Sequence, residues 1–94
     1  MNTLGRRLRE LREQQGLTVR QLAERVKKTP GYVSRIEARG EIPSPELLCE
    51  IAGVYHVTPE ELLELAKQCY LERAARELES KNSFALALYR REKK

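Results

Sequence analysis

Three hydroxyl–proline pairs constrain the fold of this 94-residue chain more than any other feature of its sequence: Thr29-Pro30, Ser44-Pro45 and Thr58-Pro59. A Ser or Thr at the N-cap of a helix accepts a hydrogen bond from an otherwise unpaired backbone amide. Proline fits the first helical position, because the amide hydrogen that it lacks would have no partner there. Each pair therefore predicts the start of a helix.

The other helix boundaries follow from further capping signals and from apolar residues at helical spacing. Thr18 and Gln21 match a capping box, while Gly16 and Gly40 are natural helix ends. These signals predict five helices: about Thr3 to Gln15, one after Thr18, Thr29–Arg39, one after Ser44, and one from Thr58 to about Glu79. Residues 84–89 predict a short sixth helix before a basic tail. No segment alternates as a strand does, so the predicted fold class is all-α.

Basic side chains are concentrated in the first part of the chain. The net charge is +4, but residues 1–40 contain ten Lys and Arg against four Glu. A positive field of this kind suits a polyanion such as nucleic acid. A solvated surface without a partner would explain the charge equally well, so charge alone does not decide between the two.

The sequence lacks the residue patterns typical of enzymes, metal sites and membrane proteins. It has no nucleophile–base pair and no glycine-rich phosphate loop; His56 is its only histidine, and Cys49 and Cys69 form no C-x-x-C motif. We therefore expect a non-enzymatic protein without a cofactor or metal, with both thiols buried and reduced. No apolar run approaches a membrane span and no signal peptide opens the chain, so a cytoplasmic location is expected.

The second and third predicted helices are separated only by Lys27 and Lys28. So short a connection forces a sharp angle between two short helices, which is the geometry of a helix-turn-helix. In that motif the second helix lies in the major groove and the first crosses the DNA backbone. An ordinary pair of antiparallel helices also has a short connection, so the spacing leaves both structures open.

Caps, core positions and helix lengths agree with one known pattern across Leu8-Arg9-Glu10-Leu11-Arg12, Gly16-Leu17-Thr18, Leu22-Ala23, Tyr32-Val33-Ser34-Arg35-Ile36-Glu37, Pro43-Ser44, Leu47-Leu48 and Val57-Thr58-Pro59-Glu60-Glu61-Leu62. In these residues the chain resembles the Cro/C1-type helix-turn-helix family, also called the Xre family of phage and bacterial repressors. The resemblance implies a five-helix, lambda-repressor-like DNA-binding domain over residues 4–63. It also implies that the recognition helix is Thr29–Arg39 and that Arg12 and Glu37 form a structural ion pair.

The sequence departs from this family at positions expected to lie near DNA. Val19 stands where relatives often carry Gln. Lys27 stands where the turn usually has glycine, so either the turn differs or Lys27 adopts left-handed geometry. Pro30 and Gly31 occupy two positions that often read bases, and neither side chain can form a hydrogen bond. Glu41 lies in a loop that is often basic, and its carboxylate would repel DNA if it faced it.

Base recognition is therefore expected from other positions in the turn and the third helix: Lys28, Tyr32, Ser34 and Arg35. Arg35 is the best candidate for a bidentate hydrogen bond to guanine, although it could instead clamp a phosphate. Tyr32 could instead be a partly buried packing residue. Contacts to the DNA backbone are expected near helix N-termini and from flanking basic residues: Thr18, Arg20, Lys27, Thr29, Gly31 and Arg39.

Residues 64–94 lie beyond the resemblance and prolong the apolar pattern of the fifth helix as a helical extension. Dimerisation through this segment is the favoured role, since repressors of this family commonly bind two half-sites as dimers. Packing against its own domain and binding a different protein partner are the alternatives.

The resemblance implies a sequence-specific, double-stranded DNA-binding transcriptional regulator. We expect a repressor of prophage or autoregulatory type that acts as a homodimer. One alternative is an antitoxin whose C-terminal helices bind a partner toxin. Another is a helical adaptor that has lost DNA binding, which Val19, Pro30 and Gly31 would explain.

Overall fold

The computed structural model describes residues 3–81, and within that range it contains helices and no strand. The helices are α1 (Thr3–Gln14), α2 (Val19–Val26), α3 (Pro30–Ala38), α4 (Pro45–Tyr55) and α5 (Pro59–Lys81). The predicted all-α, five-helix fold is therefore confirmed. The predicted helix at 84–89 and the basic tail lie outside the described residues.

Hydroxyl caps begin three of these helices. The Thr29 side chain accepts from the Tyr32 amide at 3.1 Å, and the Ser44 side chain accepts from the Leu47 amide at 3.2 Å. Before α2 the capping box is complete, because the Gln21 amide donates to the Thr18 hydroxyl at 3.1 Å and the Thr18 amide donates to Gln21 Oε1 at 2.9 Å. Caps of this kind stabilise a helix by about 1 kcal/mol each.

Within residues 3–81 the core is built from aliphatic side chains with one fully buried aromatic, Tyr55. Helix α1 packs on α3 and α5, α2 packs on α3 and α4, and α4 packs on α5. Each helix therefore contributes one apolar face to a shared interior, which includes Leu4, Leu8, Leu11, Leu22, Ala23, Val26, Val33, Ile36, Leu47, Leu48, Ile51, Ala52, Tyr55 and Leu62. Burying one such large side chain stabilises the fold by about 1.5–3 kcal/mol.

Gly5 allows α1 to approach the end of α3 closely. A Cβ atom at this position would lie 2.4 Å from the carbonyl oxygen of Glu37 and 2.9 Å from that of Ile36. Both atoms belong to the backbone and cannot rotate away. The distance between these two helices is therefore set by the absence of a side chain at Gly5.

Four helices are followed by a residue with left-handed backbone geometry: Gly16 at φ 70° after α1, Lys27 at φ 57° after α2, Gly40 at φ 78° after α3 and His56 at φ 59° after α4. At the end of α2, the Lys28 amide donates to the Ala23 carbonyl at 2.9 Å, which is the long hydrogen bond of a Schellman cap. Lys27 and His56 adopt this geometry despite their Cβ atoms, which carries a local strain of about 1–2 kcal/mol.

Helix α5 continues beyond the shared core. Leu62, Ala66 and Cys69 are buried, whereas distal α5 (residues 70–81) has large apolar side chains on its surface. Tyr70 is 64% exposed and Leu71 is 55% exposed. No helix within residues 3–81 has the length and apolar character needed to cross a membrane.

The two cysteines lie in different environments. Cys69 is buried, but Cys49 is exposed, so the expectation that both thiols are buried was wrong for Cys49. Helix α4 turns Leu48 and Ile51 into the core, and the position between them at Cys49 faces outward. An apolar residue within an apolar run was not evidence of burial here, because the helix buries only one face.

Candidate nucleic-acid interface

The connection between α2 and α3 has the geometry of a helix-turn-helix. Lys27 takes the left-handed conformation, so of the two alternatives for this turn the strained backbone is the one observed. Thr29 then caps α3, with Pro30 at the first helical position. The three-residue connection leaves Lys27, Lys28 and Thr29 exposed at one end of the pair.

An ion pair between the buried Glu37 of α3 and the largely buried Arg12 of α1 joins these two helices. The Arg12 Nε donates to Glu37 Oε2 at 2.8 Å, and Nη2 donates to Oε1 at 3.1 Å. The third nitrogen, Nη1, donates to the Leu17 carbonyl at 2.8 Å, so one guanidinium also holds the loop before α2. The hydrogen bond to Glu37 raises the pKa of Arg12 further above its usual range, so the guanidinium stays protonated.

Tyr55 lies beside this pair and was not singled out by the sequence. Its side chain is fully buried, and burial, followed by the nearby Glu37 carboxylate, raises its pKa well above the usual range. Its hydroxyl has no hydrogen-bond partner among the described residues. The phenol is therefore neutral and serves as packing beneath the α1–α3 contact.

Two cations flank the ring of Tyr32 on the exposed side of α3. The Lys28 Nζ lies 6.0 Å from the ring centroid, and the Arg35 Cζ lies 5.4 Å from it. Tyr32 itself is half-buried and packs against the core. Three of the four predicted base-contacting residues thus form one cluster, held by cation–π attraction and by packing of the ring. Ser34 is exposed on the same helix.

Glu41 contacts this cluster from the loop after α3. Its Oε1 accepts from the Arg35 Nε at 2.9 Å, with 49% of the arginine side chain and 38% of the glutamate side chain exposed. The sequence suggested only that Glu41 would repel DNA. The contact was not predicted because it depends on the path of the loop, which neither helix periodicity nor capping specifies.

The residues predicted to contact the DNA backbone are all exposed: Thr18, Arg20, Lys27, Thr29, Gly31 and Arg39. They lie at the start of α2, in the turn, at the start of α3 and just after α3. Their contacts to DNA stay predictions.

Two further residues near the interface were missed by the sequence reasoning. Gly5 sets the approach of α1 to α3, and a glycine inside an otherwise apolar helical pattern was the available signal. Arg73 of distal α5 donates to the Gly40 carbonyl in the loop after α3. No local sequence signal predicts that contact, because the two residues are far apart in the chain.

The chain is similar in sequence and in structure to known helix-turn-helix proteins. A family model described as a helix-turn-helix domain matches residues 3–65. The crystal structure of the clp gene regulator ClgR from Corynebacterium glutamicum is similar, with a TM-score of 0.60 and 33% sequence identity. The match covers 84% of this chain and 89% of that chain. No curated protein sequence matches.

Proposed function

This chain belongs to the helix-turn-helix domain family, and from that membership we propose that it is a sequence-specific regulator of transcription that binds double-stranded DNA. The observation that carries the proposal is the cluster formed by the turn and α3, where the exposed side chains of Lys28 and Arg35 flank the half-buried ring of Tyr32. In this motif the second helix enters the major groove while the first crosses the sugar–phosphate backbone. Helix α3 is the recognition helix of the proposal.

Arg35 is the main base-reading residue of the proposed complex. Within residues 3–81, its Nη1 and Nη2 atoms make no hydrogen bond, so both can donate to the O6 and N7 atoms of guanine. Ser34 and Lys28 supply further donors, and the Tyr32 ring contacts a thymine methyl group or donates to a phosphate. A good bidentate contact discriminates against a wrong base by about 1–3 kcal/mol.

Phosphate contacts position α3 without reading sequence. The exposed amides at the starts of α2 and α3 favour anions, because helix N-termini carry partial positive charge. The residues of this backbone-contacting set are Thr18, Arg20, Lys27, Thr29, Gly31 and Arg39. Their joint charge predicts a strong dependence of affinity on salt concentration.

We also propose that the protein represses transcription and that it acts as a homodimer. The similar ClgR structure is that of a protein described as a clp gene regulator, which supports a regulatory role for this chain. On distal α5, Leu71, Ala74 and Leu78 follow the i, i+3, i+7 spacing of a helix-pairing seam. A second copy is the proposed occupant, because both acidic and basic residues lie beside the seam, at Glu72, Arg73 and Arg76, and can pair across a two-fold interface.

An antitoxin is the second candidate function. The exposed apolar side chains of distal α5, including Tyr70 at 64%, would then bind a toxin instead of a second copy. Helix α3 would still bind DNA and regulate the operon. A stable complex with an endogenous protein bound to residues 64–94 would favour this candidate, whereas a clean homodimer would count against it.

Fluorescence anisotropy tests the DNA-binding proposal. The DNA upstream of the gene and a scrambled duplex are titrated at several salt concentrations. We expect the native duplex to bind at least about 1000-fold more tightly. Arg35→Ala should lower the ratio of native to scrambled affinity by about 5- to 100-fold. Arg9→Ala is the matched control, because Arg9 is paired with Glu13 on α1, away from the cluster.

Two outcomes would contradict this proposal. Equal binding of both duplexes with a steep salt slope would mean that the protein reads only phosphates, consistent with Pro30 and Gly31 at the start of α3. No binding to either duplex would favour the helical adaptor that has lost DNA binding. In that case distal α5 would be the surface to study.

A further inference from the structure

The loop after α3 brings Glu41 back over the side chain of Arg35. Gly40 has a φ of 78°, a left-handed conformation that reverses the chain direction at the end of the helix. The Glu41 amide then donates to the Arg35 carbonyl at 3.3 Å, while its carboxylate accepts from the Arg35 Nε at 2.9 Å. The same residue therefore holds both the backbone and the side chain of Arg35.

The position of Glu41 is also fixed on both sides along the chain. Before it, the Gly40 carbonyl accepts a hydrogen bond from Arg73 of distal α5. After it, Ile42 packs against the core and Pro43 is buried. An ordinary surface ion pair must order two long, mobile side chains and contributes little. Here the loop fixes the backbone of Glu41, so its carboxylate can reach Arg35 with less loss of conformational freedom than in an ordinary surface pair.

The Arg35 guanidinium has Tyr32 on one side and open space beside Gly31 on another. The Tyr32 ring lies against it, and Nη1 lies 3.9 Å from the point where a Cβ of residue 31 would be. Because residue 31 is glycine, that space is open to the guanidinium. Arg35 thus has one edge bound by Glu41 and retains its Nη1 and Nη2 donors.

We propose that Glu41 is a positioning residue for base recognition, which orients the Arg35 guanidinium before DNA binds. This inference rests on the proposed DNA-binding function. A guanidinium can bind a carboxylate through Nε and guanine through its two terminal nitrogens at the same time. Preorganisation of this kind lowers the entropy lost when the specific contact forms.

Glu41 also acts against non-specific complexes. Its negative charge opposes nearby phosphates wherever α3 rests on DNA without a guanine facing Arg35. The carboxylate thus favours the correct site and disfavours incorrect ones. The quantity that Glu41 controls is the ratio of specific to non-specific affinity, not total affinity.

A double-mutant cycle tests this proposal by anisotropy with native and scrambled duplexes. The proteins are the wild type, Glu41→Ala, Arg35→Ala and the double variant. We expect Glu41→Ala to lower the specificity ratio by about three- to tenfold, with binding to the scrambled duplex unchanged or up to about twofold tighter. In the Arg35→Ala background, Glu41→Ala should leave the ratio unchanged.

Glu50→Ala is the matched control, since it removes the same charge from an exposed position on α4. It should leave the specificity ratio unchanged. Thermal unfolding of every variant separates positioning from folding, and Glu41→Ala should unfold within about 2 °C of the wild type, as expected for an exposed pair. Glu41→Gln retains a carbonyl acceptor on a side chain of the same length. Its specificity ratio should therefore lie between those of the wild type and Glu41→Ala.

The other outcomes distinguish the two proposals. If Glu41→Ala strengthens native binding more than scrambled binding, Glu41 competes with DNA for Arg35 and the positioning role is overturned. Equal effects of Glu41→Ala with and without Arg35 would also overturn it, because Glu41 would then act only through its charge. If the wild type prefers neither duplex, the proposed function fails and the positioning role fails with it.

Discussion

Helix α3 and distal α5 are held in opposite ways. In α3, Val33, Ile36 and Glu37 are buried, and its exposed side carries the cationic cluster. Distal α5 has 55% of Leu71 and 46% of Leu78 exposed, with no covering element among residues 3–81. A nine-residue helix is too short to be stable alone, so α3 depends on its tertiary contacts. Distal α5 is instead the continuation of a long helix.

This contrast separates a surface that the fold holds rigidly from one that no element within residues 3–81 covers. The polar face of α3 needs no cover, because its charged side chains are solvated or paired. The apolar face of distal α5 remains in contact with water, which favours association. The hydrogen bond from Arg73 to the Gly40 carbonyl joins the two regions directly.

The largest effect is expected when α3 is released from α1. Glu37→Ala leaves the Arg12 guanidinium, which is only 11% exposed, without its carboxylate. The free energy of unfolding should fall by about 3–5 kcal/mol, as measured by urea denaturation. Glu24→Ala, at an exposed position on α2, should change it by less than about 0.5 kcal/mol. Similar values for the two variants would mean that the pair does not anchor α3.

A smaller loss is expected when the approach of α1 to α3 is blocked. Gly5→Ala places a Cβ 2.4 Å from the Glu37 carbonyl oxygen, so the helices must separate. Thermal denaturation should show a loss of about 2 kcal/mol after the gain in helix propensity is included. Gly53→Ala is the control, because its Cβ meets nothing within 4 Å and should stabilise α4 by about 0.5–1 kcal/mol. If Gly5→Ala and Gly53→Ala both raised the free energy of unfolding, α1 would be free to move away from α3.

The opposite result is expected in distal α5, where stability of the single chain should not depend on the apolar face. Leu71→Ser should weaken the proposed homodimer by about 1.5 kcal/mol, or roughly tenfold in dissociation constant, in sedimentation equilibrium. Glu72→Ser is the neighbouring control and should have little effect. A wild-type chain that stays monomeric at micromolar concentration would contradict the homodimer.

The smallest effect is expected at the left-handed turn residues. Lys27→Gly should raise the free energy of unfolding by about 0.5–1 kcal/mol, because glycine adopts a φ of 57° without strain. It should also reduce the salt slope of DNA binding by about 1 if Lys27 contacts a phosphate. His56→Gly should give the same stabilisation with no change in the slope. Equal slopes for both variants would exclude a phosphate contact by Lys27.

Much of the candidate interface could be predicted from sequence, but not the contacts between its residues. Lys28, Tyr32 and Arg35 were identified because they lie in or beside a short helix that begins at Thr29. Their arrangement around one ring was not predicted, since it depends on side-chain conformations. The role of Gly5 was not identified either, because a missing Cβ has meaning only when another backbone lies opposite.

The sequence by itself determined where the helices begin, because capping and proline chemistry act within one turn of the chain. Thr18, Thr29 and Ser44 each cap a helix where the local signal predicted. Only the tertiary structure decided that Cys49 faces outward, that Tyr55 fills the space beside Glu37, and that Glu41 reaches Arg35. These outcomes depend on how whole helices pack, and packing joins residues that no local rule relates.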